Sequence, residues 1–158
     1  MSSTIQAADM IVTITESLNL GGYAQGGTNS FTIESVAEVN RRIITVPITE
    51  VTIVTMSTAV AGGTFIESDV KYIRITNKDD TNHVGLIFKN EDNDEFGLKL
   101  DIGQSFIYNG DLAEGAGVID TMEANAGAIS TNTFADLVNI TAIADSAPVD
   151  LEVFIAST

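Results

Sequence analysis

Almost every side chain able to do chemistry in this sequence is a carboxylate, gathered most densely in two short polar stretches. Asp79, Asp80 and Asn82 fall in the first. In the second, Asn90, Asp92 and Asp94 occupy alternate positions, with Asp101 at the twelfth, a superficial match to a calcium loop. The match fails where such a loop needs its sharp turn, because the sixth position is Glu95 rather than glycine. Asp101 also stands where a bidentate Glu belongs. Asp79, Asp80, Asn90, Asp92 and Asp94 are therefore calcium candidates, set against the simpler reading of solvated turns between strands. Other templates lack parts. His83 is the one histidine and there is no cysteine, so no zinc set can form, and nucleophilic catalysis would run through a single imidazole without a Gly-x-Ser-x-Gly elbow. The pairs Gly21-Gly22, Gly26-Gly27 and Gly62-Gly63 match no phosphate-binding pattern. Carboxylate pairs for glycoside hydrolysis are plentiful, but the aromatic platforms that grip sugars are scarce: there is no Trp and there are three Tyr. No catalytic residue and no cofactor is expected.

Charge narrows the partners. Seven Lys and Arg stand against 22 Asp and Glu, a formal net charge of −15, and all seven bases lie between Arg41 and Lys99. Binding a nucleic-acid backbone needs clustered cations that displace counterions, and an anionic lipid surface would repel the same field. Nucleic acid and membrane are both poor partners. Disorder is equally poor as an account, since 44% of residues are hydrophobic and mean hydropathy is +0.22. No stretch approaches the ~20 apolar residues of a membrane span. Met1–Gln6 shows neither a basic nor an apolar signal region, so a chain made in the cytoplasm and remaining soluble is expected.

The elements that must position these residues are strands. Short runs rich in Ile, Val, Thr and Phe alternate with Gly, Asn, Asp and Ser. Runs over 10–16, 30–37, 41–46 and 50–58 read as strands, and the glycine-rich segment 19–29 as a loop. Asp69-Val-Lys-Tyr-Ile-Arg-Ile-Thr-Asn77 places Val70, Tyr72, Arg74 and Thr76 on one face and Lys71, Ile73, Ile75 and Asn77 on the other. With 84–89, 95–100 and 104–108 it predicts a four-stranded antiparallel meander. Residues 109–133 read as a long loop. Residues 134–144 and 149–156 read as a closing hairpin whose first arm begins helical, from the spacing of Phe134, Leu137 and Val138. The expected fold is all-β, an antiparallel β-sandwich or jelly-roll-like domain with long Gly/Ala-rich loops. It would span residues 10–158, behind a flexible N-terminal arm at 1–9.

The stretch Tyr72-Ile-Arg-Ile-Thr-Asn77, followed by Gly85-Leu-Ile-Phe88, Phe96-Gly-Leu-Lys-Leu100 and Ile102-Gly-Gln-Ser-Phe-Ile107, resembles small β-sandwich virion proteins of tailed bacteriophages. The ending Val149-Asp-Leu-Glu-Val-Phe-Ile155 is similar in style. The resemblance implies a virion structural protein, foremost a capsid decoration or cement protein on the particle exterior. It also implies contacts with other virion proteins such as the major capsid protein, and a homotrimer or other closed homo-oligomer. A tail, baseplate or fibre-base component is the alternative. A calcium-dependent carbohydrate-binding sandwich is an alternative of another class.

Overall fold

In the computed structural model, residues 5–109, 120–121 and 135–158 are described. They form fourteen strands: β1 (Ala8–Thr15), β2 (Asn19–Leu20), β3 (Tyr23–Ala24), β4 (Thr28–Val36), β5 (Glu38–Val46), β6 (Val51–Ser57), β7 (Phe65–Ile66), β8 (Val70–Asn77), β9 (Val84–Asn90), β10 (Glu95–Leu100), β11 (Ser105–Tyr108), β12 (Asp120–Thr121), β13 (Ala135–Ala144) and β14 (Val149–Ser157). A single 3-10 turn, Glu67–Asp69, precedes β8.

Two sheets carry the core. A front sheet runs β11-β8-β14-β5, and a back sheet runs β10-β9-β13-β6-β7, with β12 paired to the start of β13. Strand β14 shows why they stack. Val149, Leu151, Val153 and Ile155 alternate with Asp150, Glu152 and Phe154, so one face is wholly aliphatic. Those four meet Ile73 and Ile75 of β8 in their own sheet, and Leu86, Phe88, Leu137 and Ile140 across the gap. Each such side chain, fully buried, contributes roughly 1.5–3 kcal/mol relative to exposure. The described residues thus form the all-β sandwich that the alternation predicts.

Outside both sheets stands a two-stranded ribbon of β1 and β4, tipped by the small pair β2–β3. It joins the front sheet through one residue, Ala37, between β4 and β5. At its base Ser35 takes a left-handed φ of 58° while its N–H donates to Asp9 Oδ1, and the register slips there. The ordered arm is therefore the segment 8–36, reaching well past the 1–9 expected, and Ala8 and Asp9 belong to its first strand. The 19–29 loop turns out to hold a two-residue strand pair. Of the expected 109–133 loop, only Asn109 and Asp120–Thr121 lie among the described residues.

Three expectations about pairing are corrected. Residues 70–108 are not a meander, since β8 and β9 lie in different sheets. The chain crosses to the back sheet for the β9–β10 hairpin and returns so that β11 pairs β8. Likewise β13 and β14 do not form a hairpin, and their connection bridges the two sheets. Stacked sheets lie about 10 Å apart, which a polar connection of four to six residues spans easily, so a short turn shows succession without showing partnership. Nor does β13 begin as helix. Leu137 and Ile140 both face the core because the register against β9 slips between Leu137 and Asn139, and this bulge imitates helical spacing. A similar slip opposite β14 moves Val70 away from Tyr72 and into the core with Ile73.

Candidate interaction surface

The acidic turns are built by asparagine. Asn77, fully buried at the end of β8, donates from Nδ2 to the carbonyls of Asn82 (3.0 Å) and Leu100 (3.2 Å), and accepts at Oδ1 from Asp79 N–H (2.9 Å). Asp79 Oδ1 in turn accepts from the N–H groups of Thr81 (2.8 Å) and Asn82 (2.6 Å). These backbone donors hold the Asp79 carboxyl below its ordinary value. Asp80 is exposed and accepts from the Thr81 hydroxyl. His83 Nδ1 lies 3.5 Å from Asp145 Oδ2, and Ser146 Oγ donates to Asn82 Oδ1, so the β8–β9 and β13–β14 connections are tied at one end of the sandwich.

The second acidic turn lies at the far end of β9, about 20 Å away by strand rise. Buried Asn90 accepts there from Asp94 N–H (2.8 Å), Asn93 takes a left-handed φ of 68°, and Asp92 is exposed. The five calcium candidates are thus split between two separate turns, where Asp79, Asn90 and Asp94 hydrogen-bond within their own turns. Among the described residues no three His, Cys, Asp or Glu side chains are grouped so as to share a metal ion.

A denser polar cluster lies on the outer face of the front sheet. Glu152, 6% exposed, accepts from Arg41 Nε (3.0 Å) and Nη2 (2.6 Å) at one oxygen, and from Arg74 Nη2 (2.6 Å) at the other. The two guanidinium groups hold its carboxyl below the ordinary glutamate value. Arg74 also donates to Thr76 Oγ1, which shares a hydrogen bond with Ser105 Oγ, and lies 5.8 Å from the Phe154 ring centroid. The alternation of β14 places Glu152 and Phe154 on one face in the sequence. The registers that bring Arg41 and Arg74 beside them come from strands more than 70 residues away, and no local signal reveals them.

Next to this cluster the ribbon lays one face on the sheet. Met10, Val12, Phe31 and Ile33 cover Tyr72, Phe154 and Ala156, and this burial raises the Tyr72 hydroxyl pKa. The opposite face carries Ile11, Thr13, Ser30 and Thr32, with Thr13 and Ser30 sharing a hydrogen bond. Beyond the base the ribbon leaves the sandwich, and Leu18, Leu20 and Tyr23 are 55%, 66% and 73% exposed at its tip. Strands β1 and β4 pair only with each other, so each keeps one open edge. The surface therefore offers apolar side chains, hydroxyls and unpaired backbone, the chemistry of contact. Compared with known proteins, the chain matches no protein-family model, no curated protein and no solved structure.

Proposed function

We propose that this chain is a non-enzymatic structural protein of a virus particle, of the capsid decoration type, which grips neighbouring virion proteins through the ribbon of residues 8–36. The ribbon is the observation that carries the reading. An isolated two-stranded hairpin is marginal in water, yet this one extends past its base with Leu18, Leu20 and Tyr23 uncovered. Such an arm gains its missing burial on a neighbouring subunit. The net charge of −15 suits the outside of a particle and would be repelled by packaged nucleic acid.

The test is electron cryomicroscopy of the particle that carries the chain. Density on the outer capsid surface, with the ribbon tip against a neighbouring subunit, is expected. Density in the tail or baseplate would instead favour that structural role, and absence from purified particles would overturn the virion reading. A version with residues 16–27 replaced by a two-residue turn should fold normally and bind the particle at least tenfold more weakly, a loss of about 1.4 kcal/mol.

A further inference from the structure

Strand β5 pairs with β14 on one side and leaves its other edge open. Its inward face carries Glu38, Asn40 and Arg42, which line a cleft of about 340 Å³ closed on the far side by Gly63–Ile66. Two atoms at this edge are anomalous. Asn40 Oδ1 and Arg42 Nε are buried without a hydrogen-bond partner, although Arg42 Nη2 donates to the Ile53 carbonyl. Buried polar groups are rarely left unpaired. Arg42 also forms no ion pair among the described residues, whereas Arg41 and Arg74 both do. The outward face of the same strand carries Val39 and Ile43, 52% and 65% exposed.

These features are symmetric about Arg41. One residue to either side stand the unpaired acceptor, Asn40, and the unpaired donor, Arg42. Two residues to either side stand the exposed apolar pair, Val39 and Ile43. We propose that the β5 edge pairs antiparallel with β5 of a second copy of this chain, about a twofold axis through Arg41. Facing residues in such a ladder sum to 82 in number, so Asn40 meets Arg42 of the second copy and Val39 meets Ile43, each contact occurring twice. The orphaned acceptor and donor then satisfy each other. Glu38 lies diagonal to Arg42 of the second copy on the same face, within reach of long side chains, and supplies the missing countercharge. Arg41 meets its own equivalent at the axis with its charge already matched by Glu152. An isologous contact of this kind closes on itself and leaves no further edge to propagate.

The inference goes beyond the virion reading, because it concerns the isolated chain and stands or falls without any particle. The chain has no cysteine, which makes crosslinking specific. Facing residues in a ladder are within disulfide reach, while equivalent residues 39 of the two copies would lie about 13 Å apart. Under mild oxidation, Val39→Cys combined with Ile43→Cys should give a covalent dimer on a non-reducing gel, and neither single variant should. Both sites are exposed, so the reduced variants should melt like the parent. The unmodified chain should sediment as a dimer, and Glu38→Lys, which sets like charges together, should weaken association about tenfold. A monomeric mass at every concentration would overturn the proposal. So would single variants that crosslink as readily as the pair, or a Glu38→Lys variant that associates as tightly as the parent.

Discussion

At the scale of single residues, Glu152 holds the outer face of the front sheet together, with one carboxylate between two guanidinium groups and little solvent around it. Removing it by Glu152→Ala should cost about 1.5–3 kcal/mol in chemical denaturation, the range of hydrogen bonds to charged groups. The pH dependence follows with a definite sign. The folded pKa values of Glu152 and Asp79 lie below their ordinary values of 4.5 and 3.8. Their stabilisation is thus complete above those ordinary values and is lost as pH falls through the lowered ones. Glu67 acts in the opposite sense. Burial, with Asp136 and Glu91 nearby, raises its pKa, so acidification relieves it. Melting temperature should fall between about pH 5 and pH 3, and Glu152→Gln should make that fall shallower. An identical acid limb in the variant would remove Glu152 from the account. In the core, Phe88 is 1% exposed and stacks on Phe96 with ring centroids 4.6 Å apart. Phe88→Ala should cost about 3–5 kcal/mol.

At the scale of elements, the ribbon divides into a base fixed by apolar contact and a tip fixed only by backbone. At the tip Glu16 N–H donates to the Gly27 carbonyl and Gln25 N–H to the Leu18 carbonyl. Gly26 passes so close to the other strand that a Cβ there would lie 2.0 Å from the Glu16 carbonyl oxygen. Gly26→Ala should therefore open the tip without touching the core. Amide exchange should accelerate at Glu16 and Gln25 while the sandwich melts as before. Unchanged protection at those amides would mean that the tip tolerates the added methyl by moving as a unit.

At the scale of the whole molecule, a net charge of −15 on one domain opposes compaction through self-repulsion. Added salt screens that repulsion at ionic strengths where the Debye length falls to about 10 Å or less. The melting temperature should rise on going from low to physiological ionic strength, and a fall would show that local ion pairs such as Arg41–Glu152 outweigh the global field. Pairing of two copies through β5 belongs at this scale too, since it brings Arg41 and Arg42 to the centre of an otherwise acidic contact.

The sequence alone determined the class of fold, because strand and polar turn are local properties. Val149, Leu151, Val153 and Ile155 alternate strictly with polar or half-buried neighbours, and that period of two is legible in any window. It likewise marked Tyr72 and Phe88 as strand residues and the 79–82 and 90–94 stretches as turns. Tertiary structure decided which strands pair, since a connection of four to six residues can either turn within a sheet or cross between sheets. It decided the faces at bulges, where one extra residue moves Val70 into the core and gives β13 a false helical period. It also decided the Arg41–Glu152–Arg74 cluster and the open edge of β5, because both are relations between strands distant in the chain, which no local pattern records.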